Sequence, residues 1–90
     1  MSMNDTFREM QRFHGELRKF NEQLQGSMRD LQNHHDQVSP IWQDEMRKEY
    51  DSQWQEFDDM MKQYLTREGP NYVQFLEKKI GDLSRYLYGR

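Results

Sequence analysis

The residues of this chain whose types could bind a metal are three histidines and the acidic residues near them. Asp30 and His34 are four positions apart, so one helix would place both on the same face, a common arrangement of metal ligands. Two ligands do not complete a site, cysteine is absent, and no Glu-x-x-His pair is present. Such spacing is frequent by chance, and we expect surface histidines, no metal and no cofactor.

The carboxylates do not form a catalytic pair. Asp58 and Asp59 are adjacent, so a helix would direct them to different sides, away from a shared proton. The chain has no glycine-rich phosphate loop. Its net charge of −3 opposes binding to nucleic acid, which requires basic residues to neutralise phosphates. We therefore predict no enzyme, no catalytic residue and no nucleic-acid partner.

The composition indicates one small domain with a thin core. The chain has 90 residues, of which 33% are apolar and 32% charged, and it lacks the cysteines that would form disulfides. Chains of this size usually need well-patterned helices or a second subunit. No apolar run reaches the length of a membrane span, and Asp5, Arg8 and Glu9 occupy the place of a signal peptide's apolar segment. We expect a cytoplasmic protein. Export by a route that requires no cleavable signal peptide remains an alternative.

Apolar side chains predict a long first helix from about residue 4 to residue 36. Their mean spacing is close to the 3.5 residues of a coiled-coil stripe. Gly26 could interrupt this helix, although we favour a continuous one. His35 lies on the stripe, either as a packed residue or as one that responds to pH. The stripe consists of Phe7, Met10, Phe13, Leu17, Phe20, Leu24, Met28, Leu31, His35 and Val38.

Two prolines divide the rest of the chain. Ser39-Pro40 ends the first helix and starts a second, with Ser39 as its cap and Pro40 as its first residue. Gly69-Pro70 then stops the second helix. We expect helix 2 at about residues 40–67 and helix 3 at about residues 71–88. Their stripes are Trp42, Met46, Tyr50, Trp54, Phe57, Met61 and Tyr64 or Leu65, followed by Tyr72, Leu76, Ile80, Leu83 and Leu87.

The short joint between the two long helices predicts an antiparallel hairpin. The expected fold is all-α, with a hairpin of two long helices plus a short C-terminal helix, assembled into an oligomeric helical bundle. Residues 39–68 carry eight acidic and four basic residues, whereas residues 69–90 carry two acidic and four basic ones. The second and third helices can therefore pair within one chain or between chains.

The turn of the predicted hairpin carries a recognisable motif. Trp42-Gln43-Asp44 opens the second arm, and an aromatic residue, Tyr50, follows eight positions after the tryptophan. In these features the chain resembles the small Trp-x-Gly hairpin proteins of type VII secretion, over about residues 7–65. The resemblance implies a tryptophan at the turn between two long helices and an antiparallel four-helix-bundle dimer.

The chain also departs from that family. Asp44 stands in place of the glycine, alanine is absent, and an expected third helix replaces a flexible tail. The export signal of the family, a tyrosine with an acid four residues later, is matched by Tyr64 and Glu68. With five tyrosines in an acidic chain, about one such match arises by chance, so this match adds almost nothing.

We predict a protein–protein interaction module that pairs with itself or with a related hairpin. The alternatives are a cytoplasmic adaptor, chaperone or antidote that sequesters a partner protein, and a purely structural oligomer. Trp42 either contacts the partner or covers the end of the hairpin against Val38 and Ile41. The predicted partner-binding residues are positions of the first two stripes and of the turn motif: Phe13, Leu17, Phe20, Leu24, Trp42, Asp44, Tyr50, Trp54 and Phe57.

Overall fold

The first helix occupies two fifths of the chain. In the computed structural model, which describes residues 2–89, α1 spans Met3–Val38 and passes through Gly26 without a break. Ser2 caps it, because its hydroxyl accepts a hydrogen bond of 3.2 Å from the backbone N–H of Asp5. A 3₁₀ turn, Ser39–Ile41, continues the helix to its end.

The second helix begins later than the sequence predicts. α2 spans Met46–Gln63, whereas the Ser39-Pro40 signal predicts a start at residue 40. Pro40 lies instead in the 3₁₀ turn, and Trp42 has an extended backbone. The cap comes from Asp44, whose carboxylate accepts a 3.0 Å hydrogen bond from the backbone N–H of Met46. The chain therefore reverses over residues 42–45.

The expected stop at Gly69-Pro70 is replaced by a π-helical turn. α2 runs through this turn, Tyr64–Glu68, into α3, Gly69–Tyr88, and together they make 43 helical residues. Proline lacks an N–H, and its ring collides with the carbonyl four residues earlier in a regular helix. The wider π turn lies directly before Pro70, and the N–H of Gly69 bonds to the carbonyl of Tyr64, five residues back.

The helices form a long antiparallel hairpin, which confirms the all-α hairpin of the predicted fold, while the oligomeric bundle stays a prediction. Its principal extents are 64 × 21 × 16 Å, and its radius of gyration of 19.6 Å compares with about 12 Å for a compact chain of this length. Among residues 2–89, only two large apolar residues, Met28 and Leu76, are buried, and each keeps 7% of its surface exposed. One hairpin alone thus encloses very little core. None of its described helices combines the length and apolar character required to cross a membrane.

Candidate interface

One line of side chains on α1 holds the hairpin together, and we call it the inner seam. Its members are seven residues apart and face the returning helix: Phe7, His14, Asn21, Met28 and His35. At the open end of the hairpin, the ring of Phe7 meets the ring of Tyr88 edge-on, with 5.9 Å between centroids. In the middle, Met28 is 7% exposed. The seam therefore runs along nearly the whole hairpin.

Three members of the inner seam are polar, and each has a partner on the returning helix. His14 Nε2 lies 3.1 Å from a carboxylate oxygen of Glu77. Asn21 Oδ1 accepts a 2.7 Å hydrogen bond from the hydroxyl of Tyr64. His35 makes the third such contact, described below. These side chains occupy places that the sequence stripe assigns to Phe13 and Phe20, and the two phenylalanines consequently point outward.

The two arms approach each other closely where Gly69 faces Asn21. Gly69 is buried, and a β-carbon added there would lie 3.1 Å from the ring of Tyr64 and 3.2 Å from the side-chain nitrogen of Asn21. Real β-carbons rarely come so close to other atoms. Glycine at this position therefore permits the Asn21–Tyr64 contact and the close approach of the two arms.

A second line on α1 is largely uncovered, and we call it the outer stripe. It also has a seven-residue spacing: Met3, Met10, Leu17, Leu24, Leu31 and Val38. Met3, Leu31 and Val38 are more than 40% exposed, and the other members are half-buried. Phe13 and Phe20, 50% and 52% exposed, lie beside the stripe on the side away from the inner seam. An apolar surface thus extends over the length of α1.

The uncovered surface continues onto α3. The ring of Phe13 contacts that of Tyr72 edge-on at 6.4 Å, and Tyr72 stacks on Phe75 at 6.2 Å. The ammonium of Lys79 lies 5.5 Å above the ring of Phe75. Tyr72 and Phe75 are each about half exposed. We call the outer stripe together with Phe13, Phe20, Tyr72 and Phe75 the open face.

At the turn, Asp44 holds the tryptophan of the motif. The indole N–H of Trp42 donates a 2.6 Å hydrogen bond to Oδ1 of Asp44, the oxygen that also caps α2. The Trp42 ring lies against Tyr50, with 4.9 Å between centroids. Trp42 is half-buried and Asp44 exposed. The carboxylate that replaces the family's glycine thus fixes the orientation of the indole.

The other aromatic residues near the turn pack inside the hairpin. His35 stacks on Trp54 at 4.3 Å with an interplanar angle of 9°, and its Nδ1 lies 2.8 Å from the hydroxyl of Tyr50. Trp54 contacts Phe57 at 5.8 Å. Tyr50, Trp54 and Phe57, which the sequence predicts to bind a partner, therefore make contacts within the chain. Phe7, Met28 and His35 share the seven-residue spacing of the inner seam, but the polar residues at the two positions between Phe7 and Met28 hide it in the sequence.

One charged group is buried in the hairpin. Asp58 is 4% exposed, and one of its oxygens accepts a 2.7 Å hydrogen bond from the ammonium of Lys62. Its other oxygen makes no hydrogen bond to any residue in 2–89. The hydrogen bond to Asp58, together with the attraction between the two charges, raises the pKa of Lys62 above its ordinary value.

The described residues contain no cluster of three or more side chains that could hold a metal ion. Asp30 and His34, whose spacing in the sequence suits two metal ligands on one helix face, are both exposed on α1.

The fold and the turn define a class, the small helical hairpins with a tryptophan between two long arms. A family model, WXG100, described as proteins of 100 residues with WXG, matches residues 2–67. The chain belongs to this family, the small helical-hairpin proteins of type VII secretion, and the resemblance inferred from the Trp42 motif is confirmed. Its members are secreted, non-enzymatic proteins. Comparisons with curated proteins and with solved structures gave no significant match.

Proposed function

We propose that this protein is a secretion-associated hairpin whose open face pairs with a second copy of itself or with a related hairpin. The observation that carries the proposal is the exposure of the open face. Phe13, Phe20, Tyr72 and Phe75 are each about half exposed, whereas only two large apolar side chains of residues 2–89 are buried. Such surfaces usually mark sites of contact with another chain.

The energy available from covering the open face supports association. Full burial of one large apolar side chain contributes about 1.5–3 kcal/mol relative to exposure. Covering the exposed halves of four rings and of three outer-stripe residues in one interface adds several such contributions. An association of two rigid helical hairpins orders few additional residues, so more of this energy remains for binding.

The spacing and the charges indicate how a second hairpin lies. The seven-residue repeat of the outer stripe suits a helix that packs along α1 as in a coiled coil. Residues 34–56, at the turn, carry six acidic and two basic side chains, whereas residues 69–90 carry two acidic and four basic ones. An antiparallel copy places unlike charges side by side, and a parallel copy places like charges together. We therefore propose the antiparallel arrangement.

The paired hairpin acts through contacts and performs no reaction. Membership of a secreted, non-enzymatic family supports this role. We propose that the protein leaves the cytoplasm through a type VII secretion system, either as cargo or as the partner of cargo. The predicted residues Phe13, Leu17, Phe20 and Leu24 belong to the pairing surface, and Trp42 and Asp44 belong to the turn.

The pairing is tested by co-expressing two copies with different affinity tags. When both copies are wild type, purification through the tag of one copy should also recover the copy that carries the other tag. The double variant Phe13→Ser, Phe20→Ser should lose this recovery while its helical circular dichroism is retained. Ile41→Ser, which removes an 80% exposed side chain outside the open face, is the matched control and should retain it. Equal recovery of the untouched and the double-variant chains would overturn the assignment of the open face.

Export is tested separately in a native secreting cell. The tagged chain should accumulate in the medium only when the secretion motor is intact. Its presence in the medium of a motor-deficient strain, or its absence from the medium of the intact strain, would overturn the secretion role. Neither result depends on the tag experiment, so pairing and export can fail independently.

A further inference from the structure

The end of the hairpin carries a second exposed apolar surface, which we call the tip: Ile41, Trp42 and Met46. Ile41 is 80% exposed and Met46 65% exposed, the largest values among the aliphatic side chains of residues 2–89. An open, mainly apolar groove beside them is lined by Trp42, Met46 and Tyr50, with Glu49 and Gln53 at its polar side. The open face ends at Val38, while Ile41 and Met46 lie beyond it, immediately before and after the chain reversal.

The tip is held in shape by two charged side chains. Asp44 bonds both the indole N–H of Trp42 and the backbone N–H of Met46. Arg47 donates to the carbonyl of Trp42 at 3.1 Å and to the hydroxyl of Ser39 at 2.8 Å. Exposed apolar groups on a fixed loop need little ordering when a partner binds. The tip is therefore a preformed surface.

The charge around the tip is strongly negative. Residues 34–56 have a net charge of −4, larger in magnitude than the −3 of the whole chain. Arg47, one of the two bases there, is occupied by Asp51, whose carboxylate lies 3.4 Å from its Nε. Even beside the basic residues 69–90 of an antiparallel copy, whose net charge is +2, negative charge remains in excess. Such a surface repels anionic membranes and nucleic acids.

We propose that the tip is a docking site for a segment of another protein that presents a large apolar side chain next to lysine or arginine. The apolar side chain enters the groove between Trp42 and Met46. The basic group lies at the acidic rim near Glu49 and Glu45. Apolar contact provides the affinity, and the complementary charge provides the selection of partners and the rate of encounter. This site is separate from the pairing surface and does not require it.

The test uses synthetic amphipathic helices and the full-length protein observed by NMR. The probe is a peptide of leucine and lysine, compared with a leucine–glutamate peptide and a serine–lysine peptide of equal length. The leucine–lysine peptide should shift the indole N–H signal of Trp42 and the methyl signals of Ile41, and it should leave the indole of Trp54 unshifted. The other two peptides should bind at least about tenfold more weakly, because each lacks one of the two required features.

Two variants separate a specific site from general attraction. Met46→Ser, which removes a 65% exposed side chain that lines the groove, should weaken binding of the leucine–lysine peptide by roughly tenfold or more, as expected for the loss of one side chain that the peptide buries. Met60→Ser, which changes a 58% exposed methionine outside the tip, should leave it unchanged. Circular dichroism confirms that both variants are folded.

Several results would overturn the proposal. These are equal binding of the serine–lysine peptide, unchanged binding after Met46→Ser, or shifts confined to the open face. Shifts of the tip signals caused by uncharged phosphatidylcholine vesicles would assign the tip to a lipid surface instead. Loss of pairing in the two-tag experiment would leave the proposal standing, because the tip is present in a single hairpin.

Discussion

The hydroxyl of Tyr64 donates a 2.7 Å hydrogen bond to Asn21, a residue 43 positions away on the other arm of the hairpin. Tyr64 is also the tyrosine that matches the export signal of the family, and here it lies half-buried at the start of the π turn. Its hydroxyl and its ring, which packs against Gly69, are therefore engaged within the hairpin. A receptor that reads this side chain would first have to separate the arms.

Removing this hydrogen bond should lower stability measurably. We expect Tyr64→Phe to reduce the free energy of unfolding by about 1 kcal/mol, because the side chain of Asn21 is left without its partner in the seam. Urea unfolding followed by circular dichroism measures the change. Tyr86→Phe, at a 75% exposed position, is the control and should have no effect. An equal loss in both variants would show that the Asn21 contact contributes nothing.

Replacing glycine by alanine should change the stability of the hairpin in opposite directions on the two arms. Gly69→Ala should destabilise the hairpin, because its β-carbon would meet the backbone carbonyl of Tyr64 at 3.1 Å, which cannot move away easily. Gly26→Ala should stabilise it by about 0.5–1 kcal/mol, because no atom lies within 4 Å of its β-carbon and alanine favours the helix. Thermal melts of both variants test the pair, and a shift of the same sign would refute the close-approach account.

Replacing the aromatic residues near the turn by alanine should reduce the stability of the fold by different amounts. Trp54 stacks on His35 inside the hairpin, and its replacement by alanine should cost about 3 kcal/mol. Tyr50→Ala should also be costly, since it loses both the Trp42 and the His35 contacts. Trp42→Ala should reduce stability less, because this ring lies at the end of the hairpin. Melts that rank Trp42→Ala as the most damaging would make the turn tryptophan the main anchor.

The Lys62–Asp58 pair predicts a dependence of stability on alkaline pH. Because Asp58 raises the pKa of Lys62 above 10.5 in the folded state, the pair stabilises the fold fully below about pH 10.5. The contribution disappears as the pH rises through the elevated pKa. The difference in unfolding free energy between wild type and Lys62→Gln should therefore shrink above that pH. Lys78→Gln is the control, and a difference that stays constant with pH would contradict the assignment.

The sequence predicts much of this fold because its strongest signals are local. The apolar spacing indicates α1, and Trp42 with Ser39-Pro40 places the turn correctly. The exact start of α2 was missed, because the cap is formed by Asp44 after the chain has reversed. The helix also continues through Pro70, because a π turn provides the extra room that a regular helix lacks. Neither outcome is visible in residue spacing alone.

The candidate interface was harder to predict than the hairpin. The single apolar stripe predicted for the first helix mixes residues of two separate lines, the inner seam and the outer stripe. His14 and Asn21 lie inside the hairpin because each has a polar partner on the returning helix. These partners are Glu77 for His14 and Tyr64 for Asn21. Such partners, distant in sequence, become apparent only when the register of the two arms is known. Phe13 and Phe20, which the predicted stripe assigned to the seam, instead form part of the open face.

The central claim is that one hairpin is completed by a second chain on its open face. Sedimentation equilibrium of the purified protein at micromolar concentration tests it most directly. We expect at least twice the monomer mass of 11.2 kDa, together with an unfolding temperature that rises with protein concentration. A mass of 11.2 kDa, with cooperative unfolding that does not depend on concentration, would show that the single hairpin is stable alone and would contradict the claim.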